Sequence, residues 1–133
     1  MSIARLLVEF VASGQRNAWL DDGPTKAYVR QGVFPGKVPG VYLPCLWLAN
    51  CQTSDVGQPG TGRLRPVFQM MDALLETGVF SVLCVENVMN PRLVEVLEKW
   101  GWEADGDCTF DADEMPITFC SYWKTEVVPR VPG

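Results

Sequence analysis

Histidine is absent from this 133-residue chain. Its absence removes the commonest general base, most zinc and transition-metal sites, and the Ser-His and Cys-His nucleophile pairs. Carboxylates, Tyr, Cys and bound water are left as the available catalysts. Long apolar runs are also missing: Arg5, Glu9, Lys26 and Arg30 interrupt the candidates, so nothing approaches the ~20 residues that cross a bilayer. The N-terminus lacks the basic, apolar, small-residue order of a signal peptide, and the expected location is therefore cytoplasmic. Positive charge is scarce, 11 Lys and Arg against 16 Asp and Glu, for a net charge of -5. That balance argues against a nucleic-acid binder, for which a basic stripe supplies most of the affinity, and no nucleic-acid partner is expected. No C-x-x-C spacing occurs among Cys45, Cys51, Cys84, Cys108 and Cys120. An odd set with several members in apolar strand patterns reads as buried reduced thiols rather than disulfides or zinc ligands, and no metal site is expected.

What is present suits a packed core: 47% hydrophobic and 20% charged residues, too apolar for disorder. One domain over residues 1–133 is expected. Ile3, Leu6, Leu7, Phe10 and Val11 fall at helical spacing between Ser2 as cap and Gly14 as stop, although Ala4, Leu6, Val8 and Phe10 also alternate as a strand would. A short helix around Trp19 and Leu20 is expected over Gln15–Asp22, and a strand over Thr25–Phe34. A second apolar run, Val41–Ala49, contains Pro44, which cannot donate to a ladder and so implies a bulge or an edge there. Val67, Met70, Met71, Leu74 and Leu75 trace a helix face over Leu64–Thr77. Cys108–Phe110 and Ile117–Val127 read as two arms of an antiparallel hairpin around an acidic turn.

The richest stretch is Val79–Trp102. Its first residues, Val79–Val85, are a β-branched apolar run too short for a helix and preceded by Gly78. Then Asn90 can cap a helix, Pro91 suits its first position, and Leu93, Val96, Leu97 and Trp100 follow at i, i+3, i+4 and i+7 before Gly101 ends it. Upstream, Gly57-Gln58-Pro59-Gly60-Thr61-Gly62 precedes the Leu64–Thr77 helix, where backbone N–H groups can approach an anion. Arg63 and Arg65 follow at once, and no acid lies between Asp55 and Asp72.

Strand, Gly-rich loop, helix, strand and Asn-capped helix in this order resemble the GNAT superfamily of acyl-CoA-dependent N-acyltransferases. Val41–Trp102 carries the resemblance: Gly60-x-Gly62 matches the end of the family's pyrophosphate loop, and Leu83, Val85, Asn90, Gly101 and Trp102 match its second cofactor motif. The resemblance implies an α/β (α+β) fold, with a mixed, mostly antiparallel twisted sheet of about five to six strands and helices on both faces. It implies acetyl-CoA as cosubstrate and an amine, on a small molecule or a protein, as acceptor, in a short protein of the bacterial or phage kind. Leu48, Ala49, Gln58, Gly60, Thr61, Gly62, Arg63 and Asn90 would then hold the cofactor, and Glu86 would be the general base. Two positions depart from the family pattern. Gly57 stands where Gln or Arg is usual, and Leu97 stands where a Tyr serves as the acid. A GNAT-shaped interaction protein without catalysis, binding a partner through an acidic surface, is the competing expectation.

Overall fold

The computed structural model describes residues 1–35, 39–53, 64–88, 91–118 and 120–126. The first expected helix is α1, Ile3–Ser13. The Ser2 side chain accepts from the Arg5 N–H at 3.2 Å, and Gly14 ends the helix in the left-handed conformation, where glycine pays no Cβ penalty. Ile3, Leu7 and Phe10 form its buried stripe.

The expected short helix over Gln15–Asp22 is corrected. Asn17–Asp21 is strand β1, antiparallel to β2, Thr25–Pro35. Leu20 alone is buried in β1, and a five-residue segment with one buried side chain cannot support a helix stripe. The sheet ladder satisfies its backbone instead. The Asp21–Gly23 turn joins them, with the Asp21 side chain accepting from the Gly23 N–H at 2.8 Å.

Strand β3, Tyr42–Thr53, runs antiparallel to β2; helix α2, Arg65–Glu76, leads to β4, Val82–Val88, which lies parallel to β3. Strand β4 begins three residues later than the apolar run suggested, because Phe80 turns into the core and bonds back to Leu74. Helix α3, Pro91–Lys99, follows; then come β5 (Glu103–Ala104), β6 (Thr109–Phe110), β7 (Pro116–Thr118) and β8 (Cys120–Lys124). The expected hairpin is therefore smaller than its two apolar arms. Strand β6 pairs with β7 in a separate ribbon, while β8 inserts into the main sheet between β4 and β5.

The fold is α+β, with a six-stranded, mostly antiparallel sheet in the order β1-β2-β3-β4-β8-β5. Strand alternation splits its side chains into two sets. Leu46, Leu48, Leu83, Val85 and Tyr122 join the buried stripes of all three helices in the main core. Helices on both faces were expected, yet all three described helices serve that one core. The opposite face carries a small cluster of Cys45, Val82 and Cys84 under Phe34, Leu43, Trp47 and Trp123. The Phe34 and Trp123 rings, from strands separated by β3 and β4, meet at 5.0 Å above it.

The reading of every cysteine as a reduced thiol is also corrected. Cys108 and Cys120 form a disulfide with Cα atoms 5.4 Å apart, while Cys45, Cys51 and Cys84 are free. Cys108 stands just before β6 and Cys120 opens β8, so the chain must double back through the ribbon to bring them together, which spacing alone does not reveal.

Candidate functional site at the end of the parallel ladder

The parallel pairing of β3 with β4 covers only Cys45–Leu48 and Val82–Val85. Both strands run on past it. Immediately beyond the last pair, Leu48 with Val85, each is irregular against its outer neighbour. In β3, Leu48 is opposite Val29 and Asn50 opposite Tyr28, so Ala49 is an extra residue. In β4, Val85 is opposite Tyr122 and Val88 opposite Cys120, so Glu86 and Asn87 together face Ser121. Asn87 takes a positive φ of 48°, a conformation Asn tolerates better than most residues, and its N–H bonds to Ser121 Oγ at 3.2 Å. Two bulges thus stand abreast where the parallel ladder, the only one among the described residues, ends. Bulges re-aim side chains and interrupt pairing, and they concentrate next to active sites.

Of the bulge or edge expected at Pro44, the structure shows the edge, since the ladder to β4 begins only at Cys45, and the bulge falls five residues further on. Pro44 stays in register with Val33, and its carbonyl accepts from the Ser81 N–H at 2.9 Å. That carbonyl points towards β4, and so does the ring nitrogen, just before the parallel ladder begins. No donor to β2 is lost.

Of the expected site residues, Leu48, Ala49 and Glu86 meet at this place. Leu48 is wholly buried, in a row across the helix side made by Val29, Leu48, Val85, Tyr122 and Ala104. Ala49 is half-buried in the bulge. Gln58, Gly60, Thr61, Gly62, Arg63 and Asn90 lie outside the described residues.

Glu86 has an unforeseen partner. Its Oε1 is engaged by the Arg30 guanidinium, which also lies over the Trp47 ring, 5.6 Å from its centroid. The expectation of a general base rested on apolar neighbours; β2 places a cation there instead. Arg30 was legible as the one charge between Ala27 and Phe34, although its reach across β3 to β4 was not. Trp47, the neighbouring Cys84, and Trp123 continue the row on this open face. Trp123 Nε1 donates to Asp105 at 3.2 Å.

Cys84 beside Trp47 and Trp123 is no nucleophile. Burial, reinforced by Asp105, pushes its thiol up to about 12, and burial with the neighbouring Cys84 does the same for Cys45. Both remain thiols at neutral pH, and a thiol is the unreactive form. On the helix side, Tyr122 donates its hydroxyl to Glu98 Oε1 at 3.0 Å, and its pKa is pushed up to about 12 by burial and by that carboxylate. Leu97, at the family's Tyr position, is wholly buried in the main core. Among the described residues no cluster of three or more His, Cys, Asp or Glu could hold a metal ion, and no helix is long and apolar enough to cross a membrane.

No protein-family model matches the chain, and no curated protein matches it in a sequence search.

Proposed function

We propose that the chain is an acyl-CoA-dependent N-acyltransferase of the GNAT kind, binding the pantetheine arm where β3 and β4 part company. One observation carries this reading: the two abreast bulges at Ala49 and at Glu86–Asn87, just past the Leu48–Val85 pair. A linear ligand rich in amides needs backbone partners in an interrupted ladder, and this is where the sheet interrupts both strands of its parallel pair. In the same reading Gln58, Gly60, Thr61, Gly62 and Arg63 hold the pyrophosphate, and Asn90 borders the cofactor.

The chemistry then assigns roles by position. The acceptor amine attacks the thioester carbonyl, the C–S bond breaks, and CoA leaves as a thiolate that takes up a proton. Glu86 receives the amine's proton: an arriving ammonium competes with Arg30 for the same carboxylate. Tyr122, in the row at the end of the parallel ladder, keeps its hydroxyl proton at neutral pH, with its pKa raised to about 12, and is the described group we assign to return a proton to the thiolate.

A second reading is favoured by specific features. Leu97 is core, Glu86 is ion-paired, and the Tyr122 hydroxyl is committed to Glu98. These suit a GNAT-shaped interaction protein without catalysis, binding a protein partner through an acidic surface. The cytoplasm of a bacterium or a phage-infected host belongs to the same proposal.

Calorimetric titration with acetyl-CoA and with CoA tests the first step. A ligand at 100 times its dissociation constant should also stabilise the fold by about 2.7 kcal/mol. Binding accompanied by acetyl-CoA consumption on a panel of amines supports the transferase; binding without turnover supports the second reading; no binding removes the transferase.

A further inference from the structure

The Cys108–Cys120 bond closes a loop that contains the whole β6–β7 ribbon. Little of that ribbon belongs to the core: Thr109, Ile117 and Thr118 are exposed, and Phe110 and Pro116 are half-buried. The main core is built instead from the central strands and the three helices. Opening the bond therefore leaves the core in place.

What the bond does hold is the start of β8. Cys120 is buried there, paired with Val88 at the end of the β4–β8 ladder. The next residue, Ser121, is tied on both flanks. Beside β5 its N–H donates to Asp105 Oδ1 and its carbonyl accepts from the Asp105 N–H, both at 2.9 Å. Towards β4 its Oγ accepts from the Asn87 N–H at 3.2 Å. Pairing between β4 and β8 is interrupted from Val85–Tyr122 to Val88–Cys120, so on this side the Glu86–Asn87 bulge rests on the Ser121 hydroxyl and on Cys120 beyond it. With Cys120 untethered, the single bond to Asn87 yields before the two bonds to Asp105.

The other cysteines leave this pair alone. Burial raises the Cys45, Cys51 and Cys84 thiols to pKa values of about 12, 11 and 12, and a thiol does not attack a disulfide. Opening thus requires an external thiol, and the half-buried Cys108 is the partner it can reach. An external thiolate attacks Cys108 Sγ, the S–S bond breaks, and Cys120 leaves as a thiolate that takes up a proton. A second external thiolate then displaces Cys108 from the mixed disulfide. The products are two protein thiols and one external disulfide; a small-molecule disulfide drives the reverse reaction.

We propose that Cys108 and Cys120 form a redox latch on the β4 bulge: closed, the bond pins Ser121 against Asn87; opened by a thiol, it releases Asn87 while the rest of the sheet holds. The latch does not depend on the acyltransferase reading, although Glu86 lies in the same bulge.

Backbone amide NMR relaxation tests it, on wild-type protein closed with glutathione disulfide and then opened with dithiothreitol. Thiol titration in denaturant should count three thiols in the closed state and five in the open one. On opening, the Asn87 order parameter should fall from the rigid value of about 0.85 to below about 0.6, while Leu83 and Val85, paired with Lys124 and Tyr122, stay rigid. Cys108→Ser should reproduce the open state without reductant. Ser121→Ala should loosen Asn87 with the disulfide still closed, and opening the bond should then add little. A pair that glutathione disulfide does not close, an Asn87 equally rigid in both states or in Ser121→Ala, or order lost throughout the Leu83–Val85 ladder overturns the proposal. The last result would make the bond a brace for the whole sheet.

Discussion

Removing Asp72 should damage this fold more than removing the lysine it binds. Lys124 on β8 carries its ammonium into the helix layer, where Nζ donates to Asp72 Oδ1 at 2.8 Å and to the Trp100 carbonyl at 2.9 Å, over the Trp102 ring. Its side chain is 2% exposed, whereas that of Asp72 is 21% exposed. In Asp72→Ala the ammonium stays buried with one carbonyl and one ring face, and an orphaned buried charge costs about 3–5 kcal/mol. In Lys124→Met the carboxylate can turn towards water. Besides the bond to Asp72, whose carboxylate water then solvates, what is lost is one charge-assisted bond to Trp100 and a cation–π contact, about 1–3 kcal/mol in all. The double variant Lys124→Met with Asp72→Leu should recover most of the loss, because apolar replacement of a buried pair is often neutral. With a urea slope of ~2 kcal/mol/M, Asp72→Ala should lower the midpoint by roughly 2 M. Urea melts at pH 7, followed by fluorescence of Trp100 and Trp102, would measure it. An Asp72→Ala cost below that of Lys124→Met would refute the reasoning, since it would mean that the buried ammonium needs no counter-charge.

Alkaline pH should destabilise the protein: Cys45, Cys51 and Cys84 have folded pKa values of about 12, 11 and 12 against 9.0 in the free thiol. A raised thiol pKa contributes stability in full below pH 9 and loses it as pH rises through the folded value. The three protons set a limiting slope on the order of 4 kcal/mol per pH unit above pH 9, and urea midpoints flat from pH 8 to 11 would contradict it. Reducing Cys108–Cys120, or replacing both residues with Ser, should lower stability by about 2–3 kcal/mol for a loop of this length, read as a shift in urea midpoint. At the β4 bulge, Asn87→Gly should be tolerated and Asn87→Val should cost roughly 1–3 kcal/mol, because a β-branched residue is strained at positive φ. Thermal melts separate the two, and equal melting temperatures would remove the bulge strain from the account.

Helix α1 was legible because cap, stripe and stop coincide at Ser2, Phe10 and Gly14, each a local signal. For α2 the signals were its apolar stripe and Pro66 in the first turn, since Leu64 makes no side-chain cap bond, and for α3 it was Pro91 at the start. Strand β1 was not, since Trp19 and Leu20 side by side mimic part of a helix stripe, and only pairing with Tyr28 and Ala27 decides otherwise. The disulfide was hidden for a related reason, as it depends on the chain doubling back between β6 and β8 rather than on the spacing of Cys108 and Cys120. In the candidate site, Ala49 and Glu86 were found through the family resemblance. The Arg30 contact was not, because it joins β2 to β4 across an intervening strand.

The shortness of the parallel ladder has a mechanical consequence. Strands β1, β2 and β3 form one antiparallel leaf, and β4, β8 and β5 form another. Within the sheet, only four residue pairs, Cys45–Val82 through Leu48–Val85, stitch the leaves together. Such a sheet bends most easily about that stitch, as a book opens about its spine. Rotation there moves Ala49 relative to Glu86 while leaving the eleven-pair join of β2 with β3 undisturbed. The Arg30–Glu86 ion pair spans the spine from one leaf to the other, so it acts as a clasp on that movement.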